Sequence, residues 1–467
     1  MCSFISLEPG LGSRPVEPES ILPKRLSRCD SGFYLVEHIA PALYSPCLEH
    51  CLGWVSYCSR VLRIRQLLGR GQGGWFVSTR GVSAGIALAL ALSYTKALGV
   101  DKRSILAFVM ISAILLTYFL TSGISLALRN KPASEIKDEE FFGFLFLVIL
   151  AGLLVAILNC GLLLLYSLTK NEIPAPIFVV CFLYSLFACI NLGYQDALLA
   201  KQNLKLATFF EIATVLVQVF SLIFFVTVSQ TSLIVSVFIA FIFSYILISF
   251  STGIVFLSTH SIDLRRIPKG MRSILSQSRN QHLFGIANGL VDRVDRFLIG
   301  LILPISFLAK YSLLASVITF SRFIPDAATK LNLLRHHQGK IQRNIPLNVQ
   351  TLSFVILAGI LLAFLTQLFL KLVFGQEWLL PYSVAITLTA QEILRGIYQV
   401  NSVKLIAAGG KKAMTEISML LIILSVSLIT LGILFIGIWG APAAMVSVYL
   451  IVIMSIKTKI KEVSNAG

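Results

Sequence analysis

Four charged residues lie inside an apolar stretch of the chain, residues 281–303: Asp292, Arg293, Asp295 and Arg296. A single charge at the centre of a membrane-spanning helix costs about 2.5–3.5 kcal/mol on insertion scales. On a straight helix, Asn288 falls on the same side as these charges, and Leu283, Leu290 and Leu301 fall on the other side. The pattern predicts one continuous polar face that points into a helix bundle or a water-filled cavity.

These charges allow both a structural and a ligand-binding interpretation. Asp292 and Arg296 are spaced i, i+4 with the acid first, which is the favourable order for an ion pair along a helix. A structural ion pair and a binding site therefore both stay open for these two residues. Arg293 has no acidic residue three or four positions away along the chain, so we predict that it contacts an anionic ligand.

A second apolar stretch, residues 380–404, carries polar residues that fall within about 100° of one another on a helix: Gln391, Glu392, Arg395, Gln399 and Ser402. Glu392 can pair with Arg395, so a buried polar network is again the alternative to a binding site. Arginine binds phosphate in a planar, bidentate geometry, whereas amides and hydroxyls suit sugars. We predict a substrate-binding site from both stretches: Asn288, Asp292, Arg293, Asp295, Arg296, Gln391, Arg395 and Gln399.

The elements that must position these residues follow from the composition. Hydrophobic residues make up 56% of the 467-residue chain and charged residues 13%, whereas about 25% of a soluble domain is charged. Long apolar runs recur from residue 82 onwards, and each can cross the membrane as a helix. We predict an all-α polytopic membrane protein with twelve spanning helices: 82–98, 104–128, 141–167, 175–199, 207–228, 232–257, 281–303, 305–326, 350–374, 380–404, 414–437 and 440–456.

The spans divide six and six around a basic segment. Because six is even, both halves enter the membrane in the same orientation, which is the parallel-repeat plan with the pseudo-twofold axis along the membrane normal. The predicted parts are a tail, a first six-helix lobe, a basic cytoplasmic linker, a second six-helix lobe and a C-terminal tail: 1–74, 75–257, 258–280, 281–456 and 457–467.

The formal net charge of +17 would suggest nucleic acid as the partner of a soluble protein. Here the distribution of the charges excludes nucleic acid and indicates membrane topology. With the N-terminus inside, the outside segments hold only Lys102, Arg103, Lys170 and Lys371 of the 39 Lys and Arg residues. The positive-inside rule therefore predicts a multi-pass protein of the inner (plasma) membrane with both termini in the cytoplasm and anionic lipids as partners.

The tail of residues 1–74 does not follow this pattern. It holds five of the eight cysteines and several prolines, and it contains no apolar run that could span a membrane. The order of a signal peptide is missing, and the cysteine spacing lacks the paired C-x2-C motifs of zinc modules. We predict that the natural protein either begins near Gly71 or does not need this tail.

Two short motifs in the second half resemble a known family. Residues 295–300 read Asp-Arg-Phe-Leu-Ile-Gly, and residues 308–313 read Leu-Ala-Lys-Tyr-Ser-Leu. This pattern is similar to the second-half signature of polysaccharide flippases of the O-antigen (Wzx) type, within the multidrug/oligosaccharidyl-lipid/polysaccharide exporter superfamily. In the first half, residues 98–101 and 123–129 also resemble that family.

The resemblance implies a twelve-helix, two-lobed fold that works by alternating access. The implied substrate is an undecaprenyl-pyrophosphate-linked oligosaccharide, which moves from the cytoplasmic to the outer leaflet during surface polysaccharide synthesis. Asp295 and Arg296 would be cavity residues, and we add Arg293 as a contact for the pyrophosphate. A polysaccharide polymerase and a chain-length regulator would be the partners, with no cofactor.

Two other functions stay open at this point. A cation-coupled multidrug exporter of the same superfamily would use Asp292, Asp295 or Glu211 as its ion site, although neighbouring arginines make the two aspartates less available. A membrane polysaccharide polymerase or glycosyltransferase would need catalytic residues in a large outside loop. The outside loops here are short and contain no paired acids, so we predict no enzymatic activity, no catalytic residue and no metal site.

Overall fold

The computed structural model describes residues 72–169, 173–201, 203–228, 232–259, 264–279, 281–320, 349–407 and 410–466. Nearly all of the predicted N-terminal tail lies outside these residues, so the prediction about its dispensability stays open. The described residues are helical: α1 Gln72–Arg129, α2 Asp138–Thr169, α3 Ala175–Ala200, α4 Leu204–Val228, α5 Leu233–Thr259, α6 Ile267–Ser278, α7 His282–Val291, α8 Val294–Ile302, α9 Ile305–Phe320, α10 Val349–Phe374, α11 Tyr382–Ala407, α12 Lys411–Ile436 and α13 Gly440–Ala466. We call α1–α5 the first half and α7–α13 the second half.

Each predicted span coincides with a helical segment over the part that the structure describes, and residues 321–326 of the eighth span lie outside that part. Two spans lie within α1, which bends at Gly99, where φ is 73°. Only glycine adopts such a backbone conformation readily, so this residue divides α1 into a first and a second arm. Within the described residues, six helical stretches are long and apolar enough to cross a membrane by themselves: 81–129, 138–169, 175–200, 204–228, 233–258 and 412–462.

The seventh predicted span is not one straight helix. It consists of α7 and α8, and the turn between them is formed by Asp292 and Arg293. Arg293 has φ −139°, outside the helical range, and its backbone N–H donates to the carbonyl of Leu290. The expected face of a continuous helix was therefore wrong across this turn. On a straight helix Asp292 would lie about 60° from Asp295, whereas the break lets it pair with Arg395 of α11.

The outer surface of the bundle is apolar, as the membrane prediction requires. Large side chains project outward along the spans, and Phe220 and Phe250 are each 68% exposed. A soluble protein does not display so much apolar surface. The described residues thus form a helical, multi-pass membrane bundle, and the predicted fold class is confirmed.

The two halves meet along the second arm of α1, which packs against α7, α8 and α9. At one end, Ser104 Oγ donates to the carbonyl of Ile305 at 2.7 Å. Farther along, the helices approach closely at small residues, so that a Cβ on Gly285 would lie 2.6 Å from that of Ser122. Small residues at such contacts let membrane helices pack tightly.

Helix α6, in the predicted linker, docks on the first half rather than bridging open space. Glu140, at the start of α2, accepts hydrogen bonds from Lys131 at 2.7 Å and from Ser273 of α6 at 2.7 Å. Gly143 and Gly270 let the backbones of α2 and α6 touch, because a side chain at either position would meet the other helix. We call this side of the bundle the α6 end and the other side the opposite end.

Candidate functional site

The centre of the candidate site is an ion pair between two helices of the second half. Arg395 of α11 pairs with Asp292 at the turn between α7 and α8. Their side chains are only 6% and 17% exposed. The break after Val291 places Asp292 against α11, so its pairing partner is Arg395 instead of the Arg296 that the i, i+4 spacing suggested.

Asn288 and Tyr398 continue this polar contact toward the α6 end. The hydroxyl of Tyr398 donates to Asn288 Oδ1 at 3.2 Å, and Asn288 Nδ2 donates to the carbonyl of Phe284 at 3.0 Å. The ring of Tyr398 packs on that of Tyr449 in α13, with centroids 5.9 Å apart. The structure thus joins Asn288 and Arg395, which the sequence placed on separate helices, in one group with Asp292.

Asp295 and Arg296 lie deeper in the second half, where they are 2% and 6% exposed. Asp295 accepts the backbone N–H of Arg296 at 2.7 Å and the hydroxyl of Tyr311 at 2.9 Å. An acid in the first turn of a helix is favourable because it faces the positive end of the helix dipole. Among the described residues, Arg296 Nε has no hydrogen-bond partner. The two motifs of the sequence therefore meet at Asp295 and Tyr311.

Arg293 is partly exposed at the turn between α7 and α8. Its charge acts on the phenol groups of Tyr184 in α3 and Tyr245 in α5. The rings of Tyr184 and Tyr245 are 5.9 Å apart. Gln218 of α4 lies beside Tyr245. Arg293 of the second half thus lies within electrostatic range of hydroxyl groups of the first half.

Tyr184 and Tyr245, which lie within electrostatic range of Arg293, were missed by the sequence reasoning. Tyr94 belongs to the same aromatic group, since its ring contacts Phe241 edge-on at 6.2 Å, and Phe241 contacts Tyr184 and Tyr245. Aromatic residues are common in apolar spans, so nothing in their spacing singled them out. Only the position of a cation on the facing half identifies them as candidate ligand contacts.

The glutamines of α11 lie on the same face as Arg395. Gln391 is buried, and among the residues that the structure describes its Oε1 accepts no hydrogen bond. Gln399 is partly exposed one turn beyond Arg395. Gln391 and Gln399 thus lie one helical turn before and after Arg395 on α11.

The two carboxylates predicted inside the first half, Asp196 and Glu211, lie on different helices, whereas Asp292 and Asp295 lie in one segment. Asp196, at the end of α3, pairs with Arg129 at 3.2 Å. Glu211 of α4 is partly exposed within the first half. The described residues contain no group of three or more His, Cys, Asp or Glu side chains that could hold a metal ion.

Comparison with solved structures places this geometry in a known fold. The lipid II flippase MurJ, in an inward closed conformation, matches with a TM-score of 0.62 and 16% identity, over 83% of this chain and 87% of that chain. A mutant of the Vibrio cholerae MATE transporter VcmN matches with a TM-score of 0.59 and 15% identity, over 85% and 96% of the two chains. The chain has the fold of these transporters.

An inward-facing multidrug resistance MATE family transporter of the MOP superfamily is similar as well. Its TM-score is 0.55 with 12% identity, over 86% of this chain and 98% of that chain. No protein-family model matches the chain, and no curated protein matches it by sequence. The identities are low, so these similarities establish the fold of the bundle and not its cargo.

Proposed function

We propose that this protein is a flippase that moves a lipid-linked oligosaccharide across the membrane by alternating access, as in surface polysaccharide synthesis. The observation that carries the proposal is Arg293, a partly exposed cation where the two halves face each other. An arginine can bind the pyrophosphate of a lipid carrier in a bidentate geometry. The neighbouring tyrosines, together with Gln218, provide groups that can hydrogen-bond sugar hydroxyls.

The aspartates beside this site favour a polar cargo over a coupling cation. Asp292 pairs with Arg395, and Asp295 accepts two hydrogen bonds. A carboxylate that is already engaged is less available to a proton or a sodium ion. The structural similarity to MurJ, a lipid II flippase, agrees with this proposal.

The closed contact between the halves supports a rocking motion. At the α6 end, Tyr118 and Ser122 of α1 pack on Gly289 and Gly285 of α7. Such van der Waals contacts at glycine residues can separate without leaving a buried charge unpaired. In the proposed cycle these contacts open to admit the cargo from the cytoplasm and close again while the opposite end opens.

Mutation of Arg293 tests the proposed function. We expect Arg293→Ala to lower glycan export about tenfold or more, because a hydrogen bond to a charged group contributes about 1.5–3 kcal/mol. Arg293→Lys keeps the charge but loses the bidentate geometry, so its export should be intermediate. The amount of surface glycan is measured in a strain whose own copy of this gene is deleted. Each variant is compared at the same level of the protein in the membrane.

Lys371→Ala provides the matched control, because Lys371 is an exposed cation outside the site. Full export by Arg293→Ala would overturn the role of the cation at the interface. Efflux of a cationic dye by the wild-type protein, with no effect of deletion on surface glycan, would identify a multidrug exporter instead. In that case Glu211→Gln should abolish the efflux, since Glu211 is then the coupling carboxylate.

A further inference from the structure

A groove of about 200 Å³ opens on the first half, away from the contact between the halves. Its walls come from α2, α3 and α5, and Ile267, the first residue of α6, also lines it. Phe146 and Leu257 line it and are also largely exposed, so the groove faces the surrounding lipid. Any occupant therefore enters from the bilayer and not from the transport path.

The length and lining of the groove suit one acyl chain. Its lining along α2 runs from Phe142 to Ile149, which is about 10 Å at 1.5 Å per residue. This is most of the depth of one leaflet, which is about 15 Å of hydrocarbon. Gly253 keeps the middle open, because a Cβ there would meet only the ring of Tyr194, at 3.8 Å.

The charges at the mouth of the groove indicate which lipid binds there. Arg265 and Arg266 directly precede Ile267, and both are exposed. Arg272 follows on α6 and is exposed as well, whereas the exposed Lys269 pairs with Glu139 of α2 at 3.8 Å. α6 carries its buried residues, Gly270, Ile274 and Ser278, on the side that faces the first half. A basic amphipathic helix at the end of a membrane bundle lies at the level of lipid headgroups and attracts anionic ones.

We propose that the groove holds one acyl chain of an anionic phospholipid, whose headgroup phosphate binds Arg265 and Arg266. Because Ile267 belongs to both the groove and α6, the bound lipid adds contacts that hold α6 on the first half. The lipid is thus a structural ligand of the segment that connects the two halves, and it is distinct from the transported cargo.

Filling the groove tests this proposal on the full-length protein in detergent. Phosphatidylglycerol should raise the melting temperature more than phosphatidylcholine with the same acyl chains. Gly253→Leu fills the groove from α5 without a backbone clash. In this variant we expect phosphatidylglycerol to raise the melting temperature no more than phosphatidylcholine does. Gly161→Leu is the matched control, because Gly161 also faces lipid and has no atom within 4 Å of an added Cβ.

The headgroup contact has its own test. Arg265→Gln combined with Arg266→Gln should make the shifts with phosphatidylglycerol and phosphatidylcholine equal. A full phosphatidylglycerol shift in the Gly253→Leu protein would overturn the proposal, and so would equal shifts by the two lipids in the wild-type protein. A larger, Gly253-dependent shift with undecaprenyl phosphate would instead assign the groove to the carrier lipid. Glycan export is not the readout, so failure here leaves the proposed function untouched.

Discussion

At the scale of single residues, the charges of the candidate site have separate roles. Asp292 and Arg395 neutralise each other across two helices, whereas Arg293 faces the other half of the molecule. A buried pair is costly to break from one side, because the remaining charge has lost its partner. Arg395 therefore positions the turn that presents Arg293, and its loss should act on stability as well as on binding.

A double-mutant cycle measures this pair. Asp292→Asn and Arg395→Gln should each lower the free energy of unfolding by about 3–5 kcal/mol, because each leaves one buried charge unpaired. The double variant should be less destabilised than the sum of the two, since no unpaired charge remains. Thermal unfolding of the detergent-solubilised protein provides the measurement.

The exposed pair Lys459–Glu462, at 3.0 Å in α13, is the control for this cycle. Its side chains are largely accessible to solvent, so Lys459→Gln should change the melting temperature little. Additive effects of Asp292→Asn and Arg395→Gln would contradict the assigned pairing.

At the scale of helices, the second arm of α1 is the main contact between the halves. Its aromatic residue Phe108 stacks on Phe297 of α8 with centroids 5.9 Å apart, toward the opposite end. Near the α6 end, Ser122 touches Gly285 and Tyr118 touches Gly289. One helix thus closes the interface at both ends, so any rocking of the halves must separate part of this contact.

A disulfide across the contact tests whether it opens during transport. Ser122→Cys with Gly285→Cys, in a background without the eight native cysteines, should crosslink readily because the two positions nearly touch. Disulfide Cβ atoms lie about 3.5–4.5 Å apart, so the helices need to move only slightly. We expect oxidation to stop glycan export and a reductant to restore it.

Single-cysteine variants control for the substitutions themselves, and Ser122→Cys paired with Gly161→Cys controls for oxidation without a facing partner. Normal export by the fully crosslinked protein would show that this contact stays closed throughout the cycle. The rocking motion would then have to use another pair of surfaces.

At the scale of the whole molecule, the two ends of the bundle differ in charge. The α6 end carries exposed basic residues on and beside α6: Arg265, Arg266, Lys269, Arg272 and Arg279. At the opposite end, Lys102 and Lys371 are exposed, whereas Arg103 is buried with its guanidinium 5.4 Å from the ring centre of Tyr94. The positive-inside rule therefore favours the α6 end as the cytoplasmic side.

Cysteine labelling in intact cells checks this orientation. In the cysteine-free background, Lys371→Cys should react with a membrane-impermeant maleimide from outside, because Lys371 lies at the opposite end. Lys457→Cys, exposed in α13 beyond the last span, should react only after the cells are made permeable. The reverse pattern would invert the proposed direction of flipping.

Hydropathy and charge along the chain were sufficient to locate the apolar spans and to single out the seventh span as a polar segment, although not its break. These properties are local, because a spanning helix satisfies its own backbone and needs only enough consecutive apolar residues. The division into two lobes and a cytoplasmic linker stays a prediction. Asp295 and Tyr311 belong to the two short motifs that carry the family resemblance, and in the structure they share a hydrogen bond.

The tertiary structure alone decided which of these residues meet. It broke the seventh span at Asp292, paired that residue with Arg395, and brought Tyr184 and Tyr245 opposite Arg293. In lipid, one apolar face is as acceptable as another, so hydropathy does not specify which helices contact each other. Close packing at small residues and the need of each buried charge for a partner make that choice, and both depend on the assembled bundle.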